Sequence, residues 1–117
     1  MFTLNGRVRL YQGDPFSTEP IDTIDGRDNL AATFASLTAQ YEVTTYLLGQ
    51  SLISLDGDQA SGETYCLAMH VLKDGDDSVL VTMSIRYIDT FTRTDHGWLI
   101  ADRQHIFDWT DRRPTKP

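Results

Sequence analysis

Only one cysteine, Cys66, stands among the 117 residues. That excludes an internal disulfide and any metal site built from several thiolates. Basic residues are also scarce: 10 Lys and Arg face 17 Asp and Glu, and the chain carries −7 at pH 7. An acidic surface repels phosphate, which argues against nucleic acid as a partner and against an anionic membrane. No apolar run approaches the ~20 residues that span a bilayer. The opening stretch, Met1 to Arg7, lacks the apolar core of a secretory signal. The expectation is a cytoplasmic protein. Internal repeats and low-complexity tracts are absent too. What is present, 40% hydrophobic and 23% charged residues, is the composition of a folded domain, and the length fits one.

Val8 and Leu10 alternate with Arg7 and Arg9, so Phe2 to Leu10 reads as a short strand with one wet face. Segment 11–25 holds Pro15, Pro20 and Gly13 among small polar residues and reads as a loop. Leu30, Phe34, Leu37 and Tyr41 then fall on one helical face, which predicts a helix over about 27–41 with Asp25 or Asp28 as its cap. Everything after it reads as strand. Runs 43–55, 63–72, 79–92 and 98–109 are rich in Val, Ile, Thr and aromatics, and Asp-Gly and His-Gly turn signals separate them. Residues 1–110 form one domain in this reading, and 111–117 form a polar, frayed tail. One helix and a four-strand meander make an α+β fold, a curved antiparallel sheet around a helix. Such a layout leaves a small-molecule cavity between helix and sheet.

The run Ile24-Asp-Gly-Arg-Asp-Asn-Leu30 resembles the loop-into-helix segment of SnoaL-like domains, within the nuclear transport factor 2-like superfamily. Val43–Gln50 and Glu63–His70 resemble that group's second and third strand motifs. Ile85–Arg93, Gly97-Trp98 and Ala101–Trp109 resemble its closing hairpin. The resemblance covers about residues 5–110 and implies a cone-shaped α+β barrel with an apolar pocket. It also implies kinship with cyclases, dehydratases, a dehydrochlorinase and isomerases, so it names no single reaction. Two departures stand out. The chain starts at the strand that follows the family's helix pair, which carries the catalytic aspartate in dehydratase-like members. Tyr46 stands where those members have a histidine. Neither half of that Asp–His dyad is found here.

Three residues are candidates for chemistry. His70 shares a strand face with Cys66 and Ala68, and the resemblance puts a pocket histidine at or near this position. An imidazole titrates near neutrality and can move a proton. Asp89 shares a face with Ile85, Tyr87 and Phe91, where burial would raise its pKa; pairing with Arg86, Arg93 or Arg103 is the competing account. Tyr46 could polarise a ligand oxygen. The expected pocket walls are Phe34, Tyr41, Cys66, Ile85, Tyr87 and Phe91. A Cys66–His70 nucleophile is rejected because no third group orients it. His70, His96 and His105 lack metal spacing, and Asp56-Gly-Asp58 and Asp74-Gly-Asp-Asp77 lack a full calcium loop. Arg7, Arg9, Arg86 and Arg103 are assigned to ion pairs on the outer face, and Trp98 and Trp109 to packing.

Two functional classes follow. One is a cofactor-independent isomerase, cyclase or dehydratase with His70 as acid–base group, acting on a neutral, largely apolar, oxygenated molecule without a metal. The other is a non-catalytic binding or dimerisation module. Without the family's N-terminal helices the concave face needs a cover. Phe16, Ile21 and Ile24 of segment 11–25 could plug it, but a homodimer is favoured.

Overall fold

The computed structural model describes residues 1–117. Strand β1 (Phe2–Gln12) turns back into the short β2 (Asp22–Asp25), and helix α1 (Arg27–Thr38) follows. Strands β3 (Val43–Asp56), β4 (Gln59–Asp74), β5 (Asp77–Thr94) and β6 (Gly97–Thr115) then run as a meander. The six strands form one sheet in the order β2-β1-β6-β5-β4-β3. The meander and the β1–β2 pair are antiparallel as expected, but β1 joins β6 in parallel, so the sheet is mixed. Asp56 pairs with Gln59 and Asp74 with Asp77, which closes two-residue turns. Gly57 (φ 62°) and Gly75 (φ 66°) hold the first central position, where the turn that matches strand twist needs positive φ.

Bulges bend the sheet into an open cone. One residue is extra in β3 between Leu48 and Ser51, and β6 carries extra residues at Ala101 and Asp108. Helix α1 lies in the concavity against β1 and β2. Leu30 is its one buried residue and packs with Phe2, Val8, Ile24 and Ile100. A second apolar cluster, Cys66, Ala68, Ile85 and Tyr87, lies under the middle of β4 and β5. No helix is long and apolar enough to cross a membrane.

Several expectations change. The helix ends at Thr38, so Tyr41 lies beyond it. Gly26 holds the N-cap with no side-chain bond, and its N–H donates to the Gly6 carbonyl at 2.8 Å. Residues 22–25, expected as loop, pair with β1. The tail is not frayed to its end: residues 110–115 extend β6 by pairing with Ser78–Met83 of β5. Phe16, at 88% exposure, and Ile21 plug nothing, whereas Ile24 is core. Trp98 and Trp109 are both exposed and pack no core.

Candidate functional site

Strand alternation puts Ala68 and His70 of β4, Met83, Ile85 and Tyr87 of β5, and Arg103, His105 and Phe107 of β6 on the concave face. They floor a cavity of about 360 Å³. Phe34, Leu37 and Thr38 of α1, with Tyr41 just after it, form one wall; Tyr46 of β3 and Met1 and Phe2 form the rim. Among the expected residues, His70, Tyr46, Phe34, Tyr41, Ile85 and Tyr87 meet here. Asp89, Cys66 and Phe91 do not line the cavity. Phe91 packs on the Leu30 cluster, and Cys66 lies buried beside Ala68, Ile85 and Tyr87.

His70 is buried and held on three sides. Its Nδ1 lies 3.1 Å from Thr44 Oγ1, within hydrogen-bond reach. Tyr41 stacks on its ring at 4.0 Å with 13° between planes, and Tyr46 meets it edge-on at 5.7 Å. Desolvation in this packing lowers its pKa below 6.5, so the ring is neutral at pH 7. Desolvation raises the Tyr46 phenol, with Cys66 and Tyr41 adding to it, and raises Tyr87 far more. Both phenols keep their protons and can donate. Burial likewise pushes up the Cys66 thiol, which leaves it a poor nucleophile.

Asp89, only 3% exposed, accepts from Arg103 Nε at 2.7 Å and Nη2 at 3.0 Å. The competing account of Asp89 therefore holds, and its carboxylate is spent on the guanidinium. Arg103 was expected on the outer face. It lies instead on the concave one, its guanidinium 3.9 Å above the Tyr87 ring. The extra residue at Ala101 explains the difference, because a bulge reverses which residues of a strand face inward. The other three arginines do pair away from the cavity, Arg7 and Arg9 with Asp102 and Arg86 with Asp108. His105, opposite Tyr87 on the same face of β6, also lines the cavity. Burial first, then the Arg103 charge, pushes its pKa down to about 4. At neutral pH the neutral imidazoles of His70 and His105 and the protonated phenols of Tyr46 and Tyr87 thus share the cavity with one cation matched by a buried carboxylate. Such a set can donate to and accept from a ligand's oxygens, and these side chains together carry no net charge.

The SnoaL-like domain family matches residues 1–104. The chain belongs to this family. An uncharacterised Mycobacterium tuberculosis protein, Rv2910c, is 31% identical to it over 81 residues, which make up 68% of this chain and 54% of the relative. Mb2934c of Mycobacterium bovis matches at the same 31% over 81 residues. The SnoaL-like chain spans about half the length of these curated relatives, 54%. Kfla4162 of Kribbella flavida superposes with a TM-score of 0.75 at 17% identity, over 95% of this chain and 74% of that one. A candidate scytalone dehydratase from Novosphingobium aromaticivorans gives 0.76 at 17% identity, over 98% and 71%. A hexachlorocyclohexane dehydrochlorinase, LinA type 2, gives 0.72 at 17% identity, over 99% and 72%. These likenesses establish the α+β cone of nuclear transport factor 2-like proteins for this SnoaL-like chain.

Proposed function

We propose that this SnoaL-like domain binds a neutral, largely apolar, oxygenated small molecule under α1 and moves a proton on it. The reaction class is isomerisation, cyclisation or dehydration without a cofactor. His70 is the acid–base group, and Tyr46 donates to a ligand oxygen. Asp89 is a positioning residue that holds Arg103, since it does not reach the cavity. The observation that carries the reading is the charge balance of the site. An apolar cavity of about 360 Å³ presents neutral His70 and the internally neutral Asp89–Arg103 pair. A charged ligand would lose its hydration there without a counter-charge in return. Relatives of this shape include a dehydrochlorinase and a candidate dehydratase, which agrees with proton chemistry. Cyclohexanone in D2O tests it. The protein is expected to speed α-hydrogen exchange, followed by NMR, and His70→Gln to lower the gain by about 100-fold. Cyclohexanone that binds without faster exchange leaves binding alone.

The assembly reading has its own support. Strand β3 is a sheet edge on which Leu47, Leu48, Leu52 and Leu55 are all exposed. We assign that surface to a second copy of the chain, as a homodimer.

A further inference from the structure

We propose that His105 and Arg103 form an oxygen subsite that selects a hydroxyl group on the ligand; this rests on the small-molecule reading of the cavity. His105 Nε2 is buried and has no hydrogen-bond partner in the chain. A buried polar atom left unpaired weakens a fold, so a ligand atom that pairs with it gains what the free protein lacks. The ring is held between Tyr87, edge-on at 5.1 Å, and Phe107, at 4.6 Å. Tyr87 is also the ring beneath the Arg103 guanidinium, at 3.9 Å. The two side chains therefore flank one aromatic ring, and both residues line the cavity.

Their hydrogen-bond capacities are complementary. Arg103 spends Nε and Nη2 on Asp89, which leaves Nη1 to donate. The Asp89 oxygens are taken by that pair, and His70 Nδ1 is engaged by Thr44. With its ring proton on Nδ1, His105 Nε2 is an acceptor that no group of the chain has taken. One hydroxyl satisfies both sides: its hydrogen goes to Nε2 while its oxygen accepts from Nη1. A ketone can only accept, so it leaves Nε2 unpaired. A carboxylate faces a cation that Asp89 has already compensated and a nitrogen lone pair that repels it. The order of preference is alcohol, enol or phenol first, ketone second, carboxylate last.

Cyclohexanol, cyclohexanone and cyclohexanecarboxylate test the order on the full chain carrying 15N-labelled histidine. The His105 Nε2 resonance should lie at the unprotonated, acceptor position and shift when cyclohexanol is added. Cyclohexanol should bind about tenfold more tightly than the ketone. His105→Leu should erase that difference while the ketone still binds. A protonated Nε2 in the native protein overturns the subsite, and that measurement decides alone if His105→Leu does not fold. An alcohol preference that survives His105→Leu also overturns it. Equal binding of alcohol and ketone to the native protein removes the subsite and leaves the cavity reading standing; failure of all three probes to bind removes both.

Discussion

His105 ties cavity chemistry to stability. Its pKa falls from 6.5 in the unfolded chain to about 4 in the folded one. The unfolded chain therefore takes up the proton first as pH drops. Stability from this group is complete above about pH 6.5, is lost on the way down to about 4, and is flat below that. The full effect is on the order of 3 kcal/mol. Urea unfolding at pH 7 and pH 4.5 should show a larger acid loss in the native chain than in His105→Gln, since the carboxylates titrate alike in both. The Asp89–Arg103 pair makes a second prediction. Arg103→Leu leaves a carboxylate that is 3% exposed without its cation and should cost about 3–5 kcal/mol in the same assay at pH 7. At this scale the site was partly legible in the sequence. His70, Ile85 and Tyr87 follow from strand alternation, and Phe34 from the helical face. Arg103 escaped because an arginine in an acidic chain reads as an outer ion pair, and His105 because it was weighed only as a metal ligand; the bulge at Ala101, which no residue type announces, shifts the facing of β6 as well.

Helix α1 is pinned by one residue rather than a stripe. Leu30 is 1% exposed inside its cluster, whereas Phe34 only packs against that cluster and also faces the cavity. Leu30→Ala should therefore cost about 2–5 kcal/mol. Phe34→Ala should cost less and enlarge the cavity instead, and urea titrations of the two variants side by side give the order. The elements themselves were largely readable. Long runs of β-branched and aromatic residues between Gly-containing turns mark β3 to β6, and local geometry sets those hairpins. Strand β2 was missed because four residues with two aspartates carry no apolar alternation; its pairing comes from β1. The strand character of 110–115 likewise comes from its partner, Ser78–Met83, not from its own polar sequence. The parallel β1–β6 pair joins segments some 90 residues apart, and no local pattern encodes such a contact.

The whole molecule is more open than its mass implies. A compact chain of 13.2 kDa exposes roughly 6,400 Å² and has a radius of gyration of about 13.4 Å, but this one exposes 7634 Å² with a radius of 15.6 Å. Exposed leucines lie along β3, where Leu52 is 76% exposed. Light scattering should give twice 13.2 kDa at micromolar concentration. Leu48→Lys with Leu52→Lys should bring the mass down to that of one chain with unchanged circular dichroism. A single-chain mass for the unaltered protein across a hundredfold dilution would remove the dimer. The parallel β1–β6 pair also bears on synthesis. Strand β1 has one sheet neighbour close by in the sequence, β2, and the other far along it, in Gly97–Thr115. Strands β3 to β5 can zip up as hairpins while translation continues, but β1, with Val8 and the Leu30 cluster it supports, has only the four residues of β2 to pair with until β6 is made. Closure over so long a loop is slow, and a product that stops before β6 would hold that edge of β1 open to chaperones and to other nascent chains.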